Sequence, residues 1–143
     1  MTDINKCTTE KYYIVFTASK HNNWMVNMLK PPFQHVYAVK KSKGGQFWII
    51  INPLASHTEV DMVSIAEYPH IRLYTGEDAV ILPVTATMRH KDRWSLCVIN
   101  CVEIVKSLLG IRSFWIFTPK QLYNYLISAG EYGRCKEKSQ NTT

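Results

Sequence analysis

Apolar side chains occur in two spacings along this chain, and the spacing changes after about two thirds of its length. Up to residue 86 they form short runs rich in β-branched and aromatic residues, a pattern typical of β-strands. The runs predict strands at residues 12–17, 33–40, 47–54, 59–65, 71–75 and 80–86. Lys43-Gly44-Gly45 predicts a hairpin turn between the second and third strands. Pro83 predicts that the last strand lies at a sheet edge or bends.

The last third of the chain has helical spacing, with start and stop signals. The first predicted helix covers residues 101–109, and Gly110 ends it as a left-handed cap. The second begins after Thr118, which forms a capping box with Gln121, and it ends at Gly130. The side of this helix expected to be buried carries Leu122, Tyr125 and Leu126.

Strands followed by helices predict the α+β class, with an antiparallel sheet of about five to six strands packed against helices. The 143 residues are enough for one domain with its own core. We assign residues 11–130 to this domain, 1–10 to a flexible N-terminal segment and 131–143 to a polar, basic C-terminal tail. A further short helix is predicted within residues 19–30.

The composition is that of an ordinary globular protein, with 46% hydrophobic and 20% charged residues. No apolar run is long enough to cross a bilayer, and the first residues lack the apolar core of a signal peptide. We therefore expect no membrane span and a cytoplasmic location. The four cysteines lack paired spacing and are predicted to be free thiols: Cys7, Cys97, Cys101 and Cys135. A zinc site of Cys97, Cys101 and His90 is an alternative, but no second ligand pair exists, so we predict no metal and no cofactor.

The net charge of +6 favours an anionic substrate or an anionic surface as a partner. Basic clusters occur at residues 40–43, 89–93 and 134–138. They lack the interleaved aromatic residues of a platform for base stacking. A basic nucleic-acid-binding module is therefore a less favoured alternative.

Cys101 is the strongest candidate for chemistry. Asn100 is a good N-cap and Glu103 follows three residues later, so the register makes Cys101 the first residue of a helix. Unpaired N–H groups and the helix dipole favour a thiolate there, which is the nucleophilic form of cysteine. An activated Cys101 would be alkylated well below pH 8 and faster than the other cysteines. Two alternatives are that Cys101 is a buried core residue and that Cys97, just before the helix, is the nucleophile.

A nucleophilic cysteine needs a base and a group that orients the base, and His35 and Asn52 fit these roles. Both are predicted on the two strands of the hairpin. A four-residue turn would place them directly opposite each other, and a two-residue turn would place them diagonally on one face. A three-residue turn without a bulge would separate them. The alternatives are a structural sheet histidine and an asparagine that ends its strand before Pro53. The other histidines are predicted at the surface: His21, His57, His70 and His90.

This order of residues resembles the papain-like cysteine hydrolases in their circularly permuted arrangement: a histidine on a strand, a polar residue on the next strand, then a cysteine at a helix start. That group includes bacterial cell-wall endopeptidases and lecithin:retinol acyltransferase-like enzymes. The local amino-acid sequence is also similar to that of small proteins encoded by tailed phages. The residues that carry the resemblance are 33–36, 47–53, 100–106, 109–111 and 118–123.

The resemblance implies a papain-like fold in which Cys101 is the nucleophile, His35 the general base and then acid, and Asn52 the group that fixes the imidazole. The Cys101 backbone N–H is the natural oxyanion donor. The implied reaction is hydrolysis or acyl transfer on an amide or ester through a thioester. Substrates consistent with it are a peptide, an isopeptide, a peptidoglycan stem and a lipid ester.

A second interpretation is that the chain is a phage accessory or virion-associated binding protein, which has the same scaffold but no activity. A phage protein of either kind would lie in the host cytoplasm or on the virion. A side-chain oxyanion donor from Asn22, Asn23 or Trp24 also stays open.

Overall fold

The structure is a computed structural model that describes residues 8–18, 33–54, 56–88 and 100–129. Its strands are β1 (Thr8–Thr17), β2 (His35–Lys41), β3 (Phe47–Pro53), β4 (Thr58–Ser64) and β5 (Val80–Met88). Its helices are α1 (Ile71–Thr75), α2 (Cys101–Leu109) and α3 (Pro119–Ser128). β1 begins at Thr8, inside the segment 1–10 that was expected to be flexible.

The strands form one five-stranded antiparallel sheet in the order β4-β3-β2-β1-β5. The fold is therefore α+β, as the sequence predicted. β5 lies at an edge of the sheet, and its Pro83 is exposed. This confirms the edge position predicted from that proline, which cannot donate a backbone hydrogen bond.

Residues 71–75 form a short helix, so the strand predicted there is wrong. The Leu73 N–H donates to the His70 carbonyl and the Gly76 N–H to the Arg72 carbonyl, at 2.9 Å each. Ile71 is the buried residue of this helix. A run of five residues is too short for its spacing to distinguish a strand from a helical turn.

The two faces of the sheet carry separate apolar clusters. The helix-side cluster lies between the sheet and helices α2 and α3. Its strand members alternate along the chain: Tyr12, Ile14, Phe16, Val36, Ala38, Leu82, Val84 and Ala86. The opposite-face cluster contains Val15, Val39, Trp48, Ile50, Ile71 and Ala79. The alternation follows from the pleat of a strand, which sends successive side chains to opposite faces.

Both helices of the C-terminal part have the predicted caps. The Asn100 side chain accepts from the Glu103 N–H at 2.8 Å, and Gly110 ends α2 at φ 71°. At α3 the capping box between Thr118 and Gln121 is complete. The prediction that Tyr125 is buried is wrong, because its side chain is 42% exposed. The inward side of α3 is instead formed by Pro119, Leu122 and Leu126.

Several predictions concern residues outside the described part of the chain. They are the short helix at 19–30, the tail 131–143, Cys7, Cys97, Cys135, His21 and His90, and the open donors Asn22, Asn23 and Trp24. In the described part, no helix has the length and hydropathy needed to cross a membrane.

Candidate active site

The site lies where the ladder between β2 and β3 stops. The two strands pair from Lys41 with Trp48 to Ala38 with Ile51. Continued by one step, this register places Asn52 opposite Tyr37, which is the relation expected for a two-residue turn. The loop itself is longer: the Ser42 N–H bonds the Phe47 carbonyl at 2.8 Å. The number of turn residues therefore did not predict which residues of β2 and β3 stand opposite each other.

Beyond Ala38 the ladder loses a donor. Hydrogen-bonded pairs alternate along an antiparallel ladder, so the bond at Ser42 and Phe47 makes Val36 and Pro53 the next such pair after Ala38 and Ile51. Proline has no N–H to give. The Val36 carbonyl therefore receives no backbone donor from Pro53, and both residues are buried. We call this end of the ladder, between Val36 and Pro53, the strand gap.

His35 and Asn52 are joined across the strand gap. Nε2 of His35 and Oδ1 of Asn52 are 2.7 Å apart, which confirms the prediction that both side chains lie on one face of the hairpin. An amide oxygen can only accept, so Nε2 carries the proton in the neutral ring. The tautomer is thereby fixed, and Nδ1 keeps the free lone pair that a general base needs.

Tyr37 supports this pair, and no motif in the sequence pointed to it. Its ring centre lies 6.0 Å from that of His35, on the same face of β2. Burial raises the pKa of Tyr37 to about 12, so its hydroxyl stays protonated at neutral pH. Its place is set by the two-residue period of the strand. The sequence signal that could have identified Tyr37 is its position two residues after His35, the candidate base.

Cys101 lies on the first turn of α2 and packs against the helix-side cluster. Burial raises the pKa of its thiol, and the backbone N–H groups of Val36, Val102 and Cys101 itself lower it by less. The predicted influence of the helix start is therefore present but is outweighed by desolvation. The expectation of a resting thiolate at Cys101 is wrong in this respect.

Cys101 and His35 approach the strand gap from opposite sides. The sulfur reaches the Val36 N–H from the helix side, whereas the imidazole shares the opposite face with Tyr37. Among the described residues there is no hydrogen bond between Cys101 and His35. The structure thus brings Asn52 to His35, and it brings Cys101 to the residue that follows His35.

Glu103 does not reach back to the cap of α2. Its Oε1 accepts instead from Nζ of Lys106 at 2.6 Å, and the same Nζ donates to the Ile116 carbonyl at 3.0 Å. Lys106 is only 4% exposed. Its partners satisfy the buried ammonium and tie α2 to the segment before α3.

The other two histidines of the described chain are not bonded to His35, Asn52 or Cys101, although His57 pairs with Glu59, the β4 partner of Asn52. His57 and His70 are exposed, as the sequence suggested. Within the described ranges, no three His, Cys, Asp or Glu side chains are grouped so that they could hold a metal ion.

Comparison with known proteins gives no match to a family model, to a curated protein or to a solved structure. The resemblance to papain-like hydrolases therefore remains a prediction from the sequence.

Proposed function

We propose that the protein is a cysteine-dependent hydrolase or acyltransferase that acts on an amide or ester carbonyl through a thioester. Cys101 is the nucleophile, His35 the base and Asn52 the group that orients it. The observation that carries the proposal is the 2.7 Å contact between His35 Nε2 and Asn52 Oδ1, next to Val36, whose backbone N–H lowers the pKa of the Cys101 thiol. The net charge of +6 favours an anionic substrate.

In the proposed reaction the thiol turns from the Val36 N–H toward the imidazole when substrate occupies the strand gap. Nδ1 of His35 takes the thiol proton as sulfur forms a bond to the carbonyl carbon. The imidazolium then gives this proton to the leaving amine or alcohol as its bond to carbon breaks. Water or another acceptor attacks the thioester, loses a proton to His35 and releases the acyl group, which restores the thiol.

The backbone at the strand gap supports the same proposal. Once the sulfur has turned, the N–H groups of Val36 and Cys101 are both available to the carbonyl oxygen. Two such donors stabilise the negative charge that develops there in acyl transfer. The raised pKa of the Cys101 thiol fits a general-base mechanism, in which the thiolate forms only as it attacks.

The experiment is acetylation of the full chain with p-nitrophenyl acetate, followed by peptide mapping. We expect a burst of p-nitrophenol with the acetyl group on Cys101, and no burst from Cys101→Ala. Cys97→Ala is the matched control and should keep the burst. Equal acetylation of all four cysteines, or a burst that survives in Cys101→Ala, would contradict the proposal.

A second candidate function is a binding protein without turnover. It is favoured by the burial that raises the thiol pKa and by the lack of a hydrogen bond between Cys101 and His35 in the described chain. This candidate predicts no burst in the same experiment, with Cys101 modified no faster than the other cysteines.

A further inference from the structure

The segment between α2 and α3 exposes three large aromatic side chains. Trp115 is 83% exposed, Phe114 63% and Phe117 57%. Phe114 and Trp115 form the tip of a turn. We call these three side chains the aromatic tip. Large exposed apolar side chains that follow one another this closely along the chain mark a candidate interaction site.

The chain holds the aromatic tip out from a fixed base. Ile116, in the middle of the segment, is 6% exposed, and its carbonyl accepts from the buried Lys106 ammonium at 3.0 Å. The N–H of Phe117 donates to Gln121 Oε1 at 2.9 Å. On the other side, Ile111 packs against the helix-side cluster. The exposure is therefore set by anchored backbone on both sides of the turn.

The charged residues of the segment that carries the aromatic tip have one sign. No Asp or Glu occurs from residue 104 to residue 130, while Lys106, Arg112 and Lys120 lie in that stretch. Lys106 is buried and bonded to Glu103 and to the Ile116 carbonyl, whereas Lys120 is exposed at the start of α3. The exposed charged residues of this stretch, Arg112 and Lys120, are positive, and the carboxylate of Glu103 just before it is paired with Lys106.

We propose that the aromatic tip docks the protein onto an anionic lipid surface. Together the three rings offer roughly 400 Å² of exposed side chain, about half of what one partner contributes to a specific protein–protein interface. Insertion between lipid headgroups needs no matching pocket, and aromatic rings and cations act together there.

The test is flotation of the full chain with phosphatidylcholine vesicles, with and without about a quarter phosphatidylglycerol. We expect binding to the anionic vesicles that weakens with salt. The double variant Phe114→Ser with Trp115→Ser should lose about ten-fold or more in affinity. Leu73→Ser is the matched control, because Leu73 is 62% exposed on α1, and it should bind as the wild type does.

Three results would overturn the proposal. They are wild-type protein that does not float with anionic vesicles at low salt, a double variant that floats as well as the wild type, and equal binding to neutral and anionic vesicles. Self-association that depends on the tip, without vesicle binding, would identify a second copy as its partner and also reject the lipid surface. Thermal unfolding of each variant verifies that it is folded.

Discussion

The two ends of the hairpin of β2 and β3 are held together by different kinds of hydrogen bond. Near the turn, Lys41 faces Trp48 in a regular ladder, and the indole N–H of Trp48 donates to the Tyr68 carbonyl at 2.8 Å. At the other end the ladder stops before Val36 and Pro53, and side chains of His35 and Asn52 close the space instead. One end uses backbone pairing and the other uses side chains.

The difference shows how a small sheet can build a site without an added loop. Pairing uses backbone donors and acceptors, which then cannot serve a ligand. Pro53 has no N–H to offer the Val36 carbonyl, and the Val36 N–H lies near enough to the Cys101 sulfur to lower the pKa of the thiol. The packed end contributes stability, and the open end contributes groups whose bonds can be exchanged. The following predictions separate these contributions.

The largest effect is expected at the packed end. Trp48 is 3% exposed, so Trp48→Ala should lower the free energy of unfolding by about 3–5 kcal/mol. Trp48→Phe, which keeps most of the packing and loses the bond to Tyr68, should cost about 1 kcal/mol. Urea unfolding measures both. Under conditions where each variant is folded, the rate of Cys101 acetylation should stay near that of the wild type, and a large drop would mean that the two ends are not separate.

At the open end, His35→Ala should slow acetylation of Cys101 by about a hundred-fold or more, because the thiol then has no base. The matched control is His70→Ala, since His70 is exposed and its side chain makes no cap hydrogen bond to α1. The measurement is the burst rate with p-nitrophenyl acetate. Equal rates in the two variants would remove His35 from the mechanism.

Asn52→Ala should have a smaller effect, about ten-fold on the same rate, because the ring stays in place but its tautomer is no longer fixed. Asn52→Asp keeps an acceptor oxygen and should restore much of the rate. In the His35→Ala background, Asn52→Ala should add nothing further. An independent loss in the double variant would show that Asn52 acts through another group.

The smallest effect is expected in the pH dependence of stability. The pKa of the Cys101 thiol is raised above its ordinary value of 9.0, so the unfolded chain loses this proton at a lower pH than the folded protein does. The stabilisation is fully present below about pH 9 and falls as pH rises further. The stability difference between the wild type and Cys101→Ala should therefore shrink from pH 8 to pH 10, as measured by urea unfolding. A difference that grows would mean that the thiol pKa is lowered.

Much of the fold was readable from local patterns. Five strand runs, the Asn100 and Thr118 caps and the Gly110 ending depend on neighbours within a few residues, where sequence patterns are informative. The helix at Ile71–Thr75 was missed because five residues satisfy either period. The exposed Tyr125 was missed because helical spacing cannot say how far the core extends around α3.

For the candidate site, the two-residue period of each strand predicts His35 and Asn52 on one face if the loop is even. Which residues stand opposite each other was not predictable, because the ladder sets the register. The position of Cys101 at a helix start was also predictable from near neighbours, because the side-chain oxygen of Asn100 accepts from the Glu103 N–H of that helix.

What the sequence by itself determined is five of the strands, the two capped helices of the C-terminal part and the place of Cys101 on its helix. The tertiary structure alone decided that the thiol is buried against the helix-side cluster, which raises its pKa, and that it meets the sheet at the Val36 N–H. The physical reason is one of range. Strand alternation and helix caps act between neighbours in the chain, whereas desolvation depends on how distant segments pack around a group.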